Sequence, residues 1–318
     1  MTGLARLRLA GFGAALLAFA AGEDAAGAVE SSTVSVDASA REGAGYSPRV
    51  SLASRLAISD GVSGTDTALV PRVSLAVPLD PAWQLELDLG VAILYSPDGE
   101  ILNPRTGETS RDDVPRMGNP IARLRHGFET ALGRASLSLG FAFPMASVQV
   151  PTPATGQDFR RAPHTRSTYA QALSAGGYTD PWAYSWHTAT VLAGGRIGHS
   201  IRGLVLGADL QLGLLLPAGR LRKDVGLALD FRLSGGYPLG DFEPGVEVAF
   251  VHLPPQRDDY DGSLELGGSQ VSVAPRLRWA PSGPLFVEGA VSFNLVRQME
   301  PEPVASIWNL SLEVGARL

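Results

Sequence analysis

Strict alternation of apolar and polar residues dominates the chain. In "WQLELDLGVAILY" (83–95), Trp83, Leu85, Leu87, Leu89, Val91, Ile93 and Tyr95 hold one parity, while Gln84, Glu86 and Asp88 open the other. A period of two marks a strand, because successive side chains point to opposite faces. A helix would need apolar spacings of three and four. The run is longer than the roughly five or six residues of a typical soluble strand. It suffices for the roughly 9–11 tilted residues with which a strand crosses a bilayer.

The same alternation recurs in 49–58, 68–79, 120–129, 135–143, 204–216, 227–236, 243–252, 268–279, 285–295 and 308–318, and less cleanly in 184–198, where Arg196 falls on the polar side. With 83–95 that makes about twelve segments, an even number. The connections at 80–82, 131–134, 199–203, 239–241 and 280–283 are short, and they alternate with longer ones at 60–66, 97–118, 147–183, 217–225, 254–264 and 297–305. An up-and-down barrel gives this alternation, with tight turns on one side of a membrane and long loops on the other. A sandwich with Greek-key connections has no reason to. Trp83, Tyr237, Trp279 and Phe286 fall near short-turn ends, and Tyr95, Trp182, Tyr184, Trp186 and Trp308 near long-loop ends. That placement predicts two interfacial aromatic girdles.

The pattern therefore predicts an all-β fold: a closed antiparallel up-and-down transmembrane β-barrel of about 12 strands, with short periplasmic turns and long extracellular loops. Closed barrels satisfy every backbone hydrogen bond within hydrocarbon. Apolar rows would face lipid, and ionic rows a polar lumen. The expected lumen-lining residues are Arg49, Arg55, Arg72, Glu86, Asp88, Arg123, Arg125, Asp209, Asp230, Arg232, Glu247, Arg276, Arg278, Glu288, Glu313 and Arg317. Their signs are mixed. They could line a conducting path and tune its selectivity, or neutralise one another in a salt-bridged filling.

Composition adds the address. Arg6 and Arg8 precede "LAGFGAALLAFAAG" (9–22), an apolar run too short for a membrane helix and followed by Glu23 and Asp24. This reads as a signal peptide over 1–28, with cleavage after Ala28 favoured over Ala20 or Ala21. Residues 29–46 would form a periplasmic N-terminal segment and 47–318 the barrel. Hydrophobic residues make up 45% of the chain, which suits a barrel whose strands expose only alternate residues to lipid. The net charge of −6, with no basic run, argues against nucleic acid as a partner. The absence of cysteine excludes disulfides and thiolate zinc sites.

The export segment, the strand-and-loop pattern over 47–318 and the closing "IWNLSLEVGARL" resemble Gram-negative outer-membrane β-barrel proteins. In that class the last strand typically ends in Phe or Trp and helps recruit the assembly machinery. Here it ends in Leu318. The stretch "GNPIARLRHGFETALGRASLSLGFAFP" (118–144) is similar to the phenol meta-cleavage-pathway transporter-like barrels, a family implicated in uptake of small hydrophobic substrates. The match covers less than a tenth of the chain and carries over no binding residue. The resemblance implies outer-membrane lipid and the assembly machinery as partners, with a small-molecule solute as cargo.

Catalytic patterns are weak. Outer-membrane phospholipases use a His-x-Ser pair on the outer wall. In "GHSIRG" (198–203), His199 and Ser200 are adjacent, on opposite faces of any strand and expected in a turn. His126, His164, His187 and His252 lack metal-ligand spacing. There is no nucleophile elbow, phosphate loop or dinucleotide fingerprint. Asp259, Asp261 and Gly262 resemble part of a calcium loop, but Arg257 holds the first ligand position and the closing Glu is missing. The expectation is a non-enzymatic protein with no cofactor and no metal. It would be an outer-membrane channel or transporter for small solutes, hydrophobic ones included. The alternatives are a non-conducting surface barrel acting through its outer loops, of which 147–183 is the longest, and an exported soluble β-sandwich.

Overall fold

The computed structural model describes residues 46–61, 64–95, 101–102, 109–110, 115–146, 180–218, 225–256, 266–300 and 307–317. The expected signal peptide, the Asp259–Gly262 loop and most of the 147–183 loop lie outside the described residues. Within them the chain forms a closed antiparallel barrel of twelve strands. These are β1 (Arg49–Gly61), β2 (Gly64–Pro78), β3 (Trp83–Tyr95), β4 (Ile121–Thr130), β5 (Gly133–Ala142) and β6 (Thr188–Ile201). They continue with β7 (Leu204–Pro217), β8 (Gly226–Gly236), β9 (Phe242–Gln256), β10 (Leu266–Trp279), β11 (Leu285–Glu300) and β12 (Ile307–Arg317). Each strand pairs with its sequence neighbours. β12 returns to β1, in a register running from Arg49↔Arg317 to Ser59↔Ile307, and closes the wall.

The faces follow parity. Leu52, Val73, Leu89, Leu139, Leu210, Leu233, Leu277 and Leu312 are all exposed, as residues that would meet acyl chains must be. The opposite parity carries Ser51, Arg123, Arg125, Asp230, Gln270 and Asn309, all buried. Large apolar side chains outside and polar ones inside invert the arrangement of a water-soluble protein.

Tight turns join the strands at one end. Arg202 and Gly203, both with positive φ (51° and 82°), make the two-residue β6–β7 turn. That is the backbone sign a hairpin turn matched to strand twist requires. At the other end β4 is short. Only Trp83–Asp88 of β3 pair with it, and beyond them Arg116 and Met117 take over against Ala92 and Val91. Bulges interrupt the β9–β10 and β10–β11 ladders.

Five expectations from the sequence need correction. The 60–66 connection is not a long loop: the β1–β2 ladder runs on to Gly61↔Gly64. The 184–198 strand begins at Thr188. Trp182, Tyr184 and Trp186 do not form an outer girdle. They are 0%, 7% and 2% exposed and pack against Val70, Ile121, Leu192 and Leu215. Phe286 is likewise buried, under the guanidinium of Arg278, 4.8 Å from its ring centroid. Trp83, Tyr237 and Trp279 are exposed as a girdle requires. His199 and Ser200 lie in β6 rather than in a turn.

Candidate functional site

The segment preceding β6 turns onto the interior face of the barrel. Asp180 leads into a 3₁₀ turn over Pro181–Ala183 with left-handed backbone (φ 53°), and His187 closes the segment in the same region (φ 51°). Asp and His both tolerate that region better than most residues. Asn119 holds the turn from below. Its side-chain amide donates to the carbonyls of Trp182 and Ser185 at 2.9 and 2.8 Å, and its own oxygen accepts from Ala146 N–H at 2.7 Å.

Glycines make room. A Cβ on Gly213 would lie 2.8 Å from Trp182 Cε3. A Cβ on Gly118 would lie 2.7 Å from the Ala183 carbonyl, and one on Gly90 would overlap the Tyr184 hydroxyl. Backbone therefore approaches the turn closely at three points.

Asp180 is the hub of the charges. Its Oδ1 accepts from Arg123 Nη2 at 3.0 Å and its Oδ2 from Arg72 Nη1 at 2.8 Å. Arg232 Nη2 stands 3.5 Å from Oδ2. The Asp180 N–H donates to Asp230 Oδ2 at 2.9 Å, and Asp230 is in turn held by Arg232. Asp88 is shared by Arg72 at 2.8 Å and Arg123 at 2.7 Å, with Ser74 donating to it as well. Burial alone would raise the Asp180 pKa. The fields of Arg72, Arg232, Arg123 and Arg55 more than reverse this and hold the carboxyl well below the usual range. A small cavity of about 20 Å³ lies beside the carboxylate, between Arg55, Val70, Tyr184 and Asn119. That is room for about one water molecule.

The sixteen charged residues singled out in the sequence all share the parity opposite the exposed apolar rows. The structure brings them into separate groups. Arg72, Asp88, Arg123, Asp230 and Arg232 meet at Asp180, with Arg55 alongside. Arg125 pairs with Glu86 at 2.9 Å, and Asp209 with Arg196 at 2.7 Å. Nearer the short turns, Arg276 lies 3.8 Å from both Glu243 and Glu288, while Arg278 covers Phe286. Glu288 and Glu313 are opposite each other in register, as are Arg49 and Arg317. Glu247 lies opposite Ser234 on β8 and Ala274 on β10. Sequence reasoning missed Asp180, Asn119 and Glu243 as members of these groups.

A His–Ser pair spans two neighbouring strands. His252 Nδ1 is 3.0 Å from Ser269 Oγ, across the β9–β10 ladder. On its other side the residue opposite His252 is Leu229, where an orienting acid would serve a catalytic base. Among the described residues no group of three or more His, Cys, Asp or Glu could hold a metal ion.

No protein-family model matches the chain, and no curated protein matches it. Solved structures do. An outer membrane channel from Pseudomonas putida F1 superimposes with a TM-score of 0.57 at 9% identity, over 86% of this chain and 95% of that one. The NanC porin gives 0.47 at 8% identity, over 84% and 100%, and the translocator domain of the autotransporter NalP from Neisseria meningitidis gives 0.44 at 10%, over 86% and 89%. At such identities the likeness concerns the fold. The closed wall, the outward apolar rows and the first of these superpositions agree: this chain has the fold of a Gram-negative outer-membrane β-barrel, and the outer membrane is its place.

Proposed function

We propose that the barrel is an outer-membrane channel passing small solutes through a polar, mixed-charge interior narrowed by the segment 180–187. The observation that carries this reading is the Asp180 network. A solid filling needs only ion pairs between neighbouring strands, such as Arg125–Glu86 and Arg196–Asp209. Asp180 instead ties a chain segment to walls on both sides, reaching Arg72 on β2 and Asp230 on β8. Such a tie confers selectivity where a path has to be narrowed. A hydrolytic role finds less support, since Leu229 occupies the place beside His252. The measurement is ion conductance of the refolded chain in planar bilayers, paired with liposome swelling by small neutral and charged solutes. Small unitary conductance with uptake of small solutes is expected. A folded barrel that neither conducts nor admits solutes would overturn the reading.

A further inference from the structure

Asp180 occupies a place built for a carboxylate. Two guanidiniums from different strands, Arg72 and Arg123, each donate to a different oxygen of that one group, and Arg232 approaches from the far wall. These arginines are 19%, 6% and 21% exposed and are fixed by other partners, Asp88 for the first two and Asp230 for the third. If the segment swung out, the arginines would stay. Arg72, Arg123 and Arg232 would then share Asp88 and Asp230, three guanidiniums on two carboxylates. Arginine forks held in this way are preorganised to bind a carboxylate.

The apolar side of the place is also built. Val70, Gly90 and Ile121 of the wall line the cavity that adjoins the carboxylate, and Ala183 and Tyr184 of the turn close it. With Asp180 seated, only about one water molecule fits there. Displacing Asp180 and its turn is therefore the way a solute would gain entry.

We propose that the Arg72–Arg123–Arg232 cluster is a binding site for a small monocarboxylate with a compact apolar body, and that Asp180 is its built-in competitor. The proposal rests on the channel reading and specifies it. A solute carboxylate takes the place of the Asp180 side chain, and the segment 180–187 is released from the arginines. Binding and opening are then one exchange of like for like, in which no guanidinium is left buried and unpaired.

The test uses the refolded full chain in detergent micelles, with benzoate as probe and benzyl alcohol as its uncharged counterpart. The readout is the emission of Trp182, two residues from Asp180, taken as the difference from a Trp182→Phe variant. Benzoate should shift the emission saturably and benzyl alcohol should not. Asp180→Asn removes the competing charge, so the benzoate midpoint should fall about tenfold or more, since apparent affinity scales with the fraction of competent sites. Arg72→Gln should abolish the response while the barrel keeps its folded-state gel mobility, and Asp180→Ala should reproduce the Asp180→Asn result. Equal shifts with both probes, or an unchanged midpoint in both Asp180 variants, would overturn the proposal. Failure of the channel reading would appear separately, as absent conductance in bilayers with the micellar binding intact.

Discussion

Arg72 on β2 and Arg232 on β8 stand six strands apart in a wall of twelve. Both reach the same oxygen of Asp180, at 2.8 and 3.5 Å. That oxygen belongs to a carboxyl held well below its usual pKa: burial opposes the ionised form, and the four surrounding arginines outweigh it. The sign of the pH dependence follows. A carboxyl with a lower pKa in the folded state contributes stability in full above its unfolded value, about 3.9, and loses it as pH falls through the folded value.

The attachment of the 180–187 segment is accordingly expected to persist from pH 8 down to about 4 and to fail only at stronger acidity. Trp182 emission followed through an acid titration in micelles checks this. A flat response to about pH 4, then a red shift, is the expected course. In Asp180→Asn the acid step attributable to this carboxyl should vanish. A midpoint near neutrality in the parent protein would contradict the assignment.

Glu86 and Arg125 form a simpler pair, 2.9 Å apart and 15% and 7% exposed. Arg125→Ala leaves a part-buried carboxylate without its partner and should cost up to about 3–5 kcal/mol, the upper end holding for full burial. Replacing both, Glu86→Leu with Arg125→Met, removes the two charges together and should cost far less, because the desolvation penalty disappears with the attraction. Equilibrium denaturation in phospholipid vesicles measures both. A double variant as unstable as the single one would show that the pair does more than neutralise itself.

The barrel was legible in the sequence because its solvent is. Lipid outside and polar groups inside force a two-residue period on every crossing strand, and Leu210 or Leu312 against Asp209 or Glu313 displays that period without knowledge of any partner. Arg72 and Asp88 could be given a face by the same rule. Their convergence could not be read, because it depends on Asp180, a loop residue with no period to place it. The run "TDPWAYSW" (179–186) carried a signal that girdle reasoning overrode. Asp-Pro favours turn initiation, and three aromatics at every second position in a turn have a buried face to fill. Asn119 is invisible in the same way, since its work is done against carbonyls of Trp182 and Ser185, remote in sequence.

The outward face gives the fold its own test. Leu312 lies mid-strand on β12 and is 50% exposed, with Leu310 and Val314 exposed beside it. Leu312→Arg places a cation against hydrocarbon and should cost about 2–4 kcal/mol if the position is near the bilayer midplane. Ser311→Arg, one residue away on the opposite face, should cost less than Leu312→Arg. Unfolding in vesicles separates the two, and equal costs would deny the difference between the faces.

Gly213 tests whether the interior segment is held by shape as well as by charge. It lies on β7, and a side chain there would meet Trp182 Cε3 at 2.8 Å and Thr190 Cγ2 at 3.0 Å. The Trp182 ring is fully buried and cannot yield locally, so a larger residue has to move the turn that carries it. Gly213→Val should therefore displace Trp182 while leaving the β7 ladder in place, since valine favours strands. The expected signature is a red-shifted Trp182 emission, a larger unitary conductance and unchanged folded-state gel mobility. Destabilisation should stay within about 1–3 kcal/mol, the usual cost of overpacking. Gly235 is a control, because a Cβ there would come no closer than 3.6 Å to a neighbour, the Leu206 side chain. Gly235→Val should leave emission and conductance as they are. If the two variants behave alike, Trp182 is not what fills the space above Gly213.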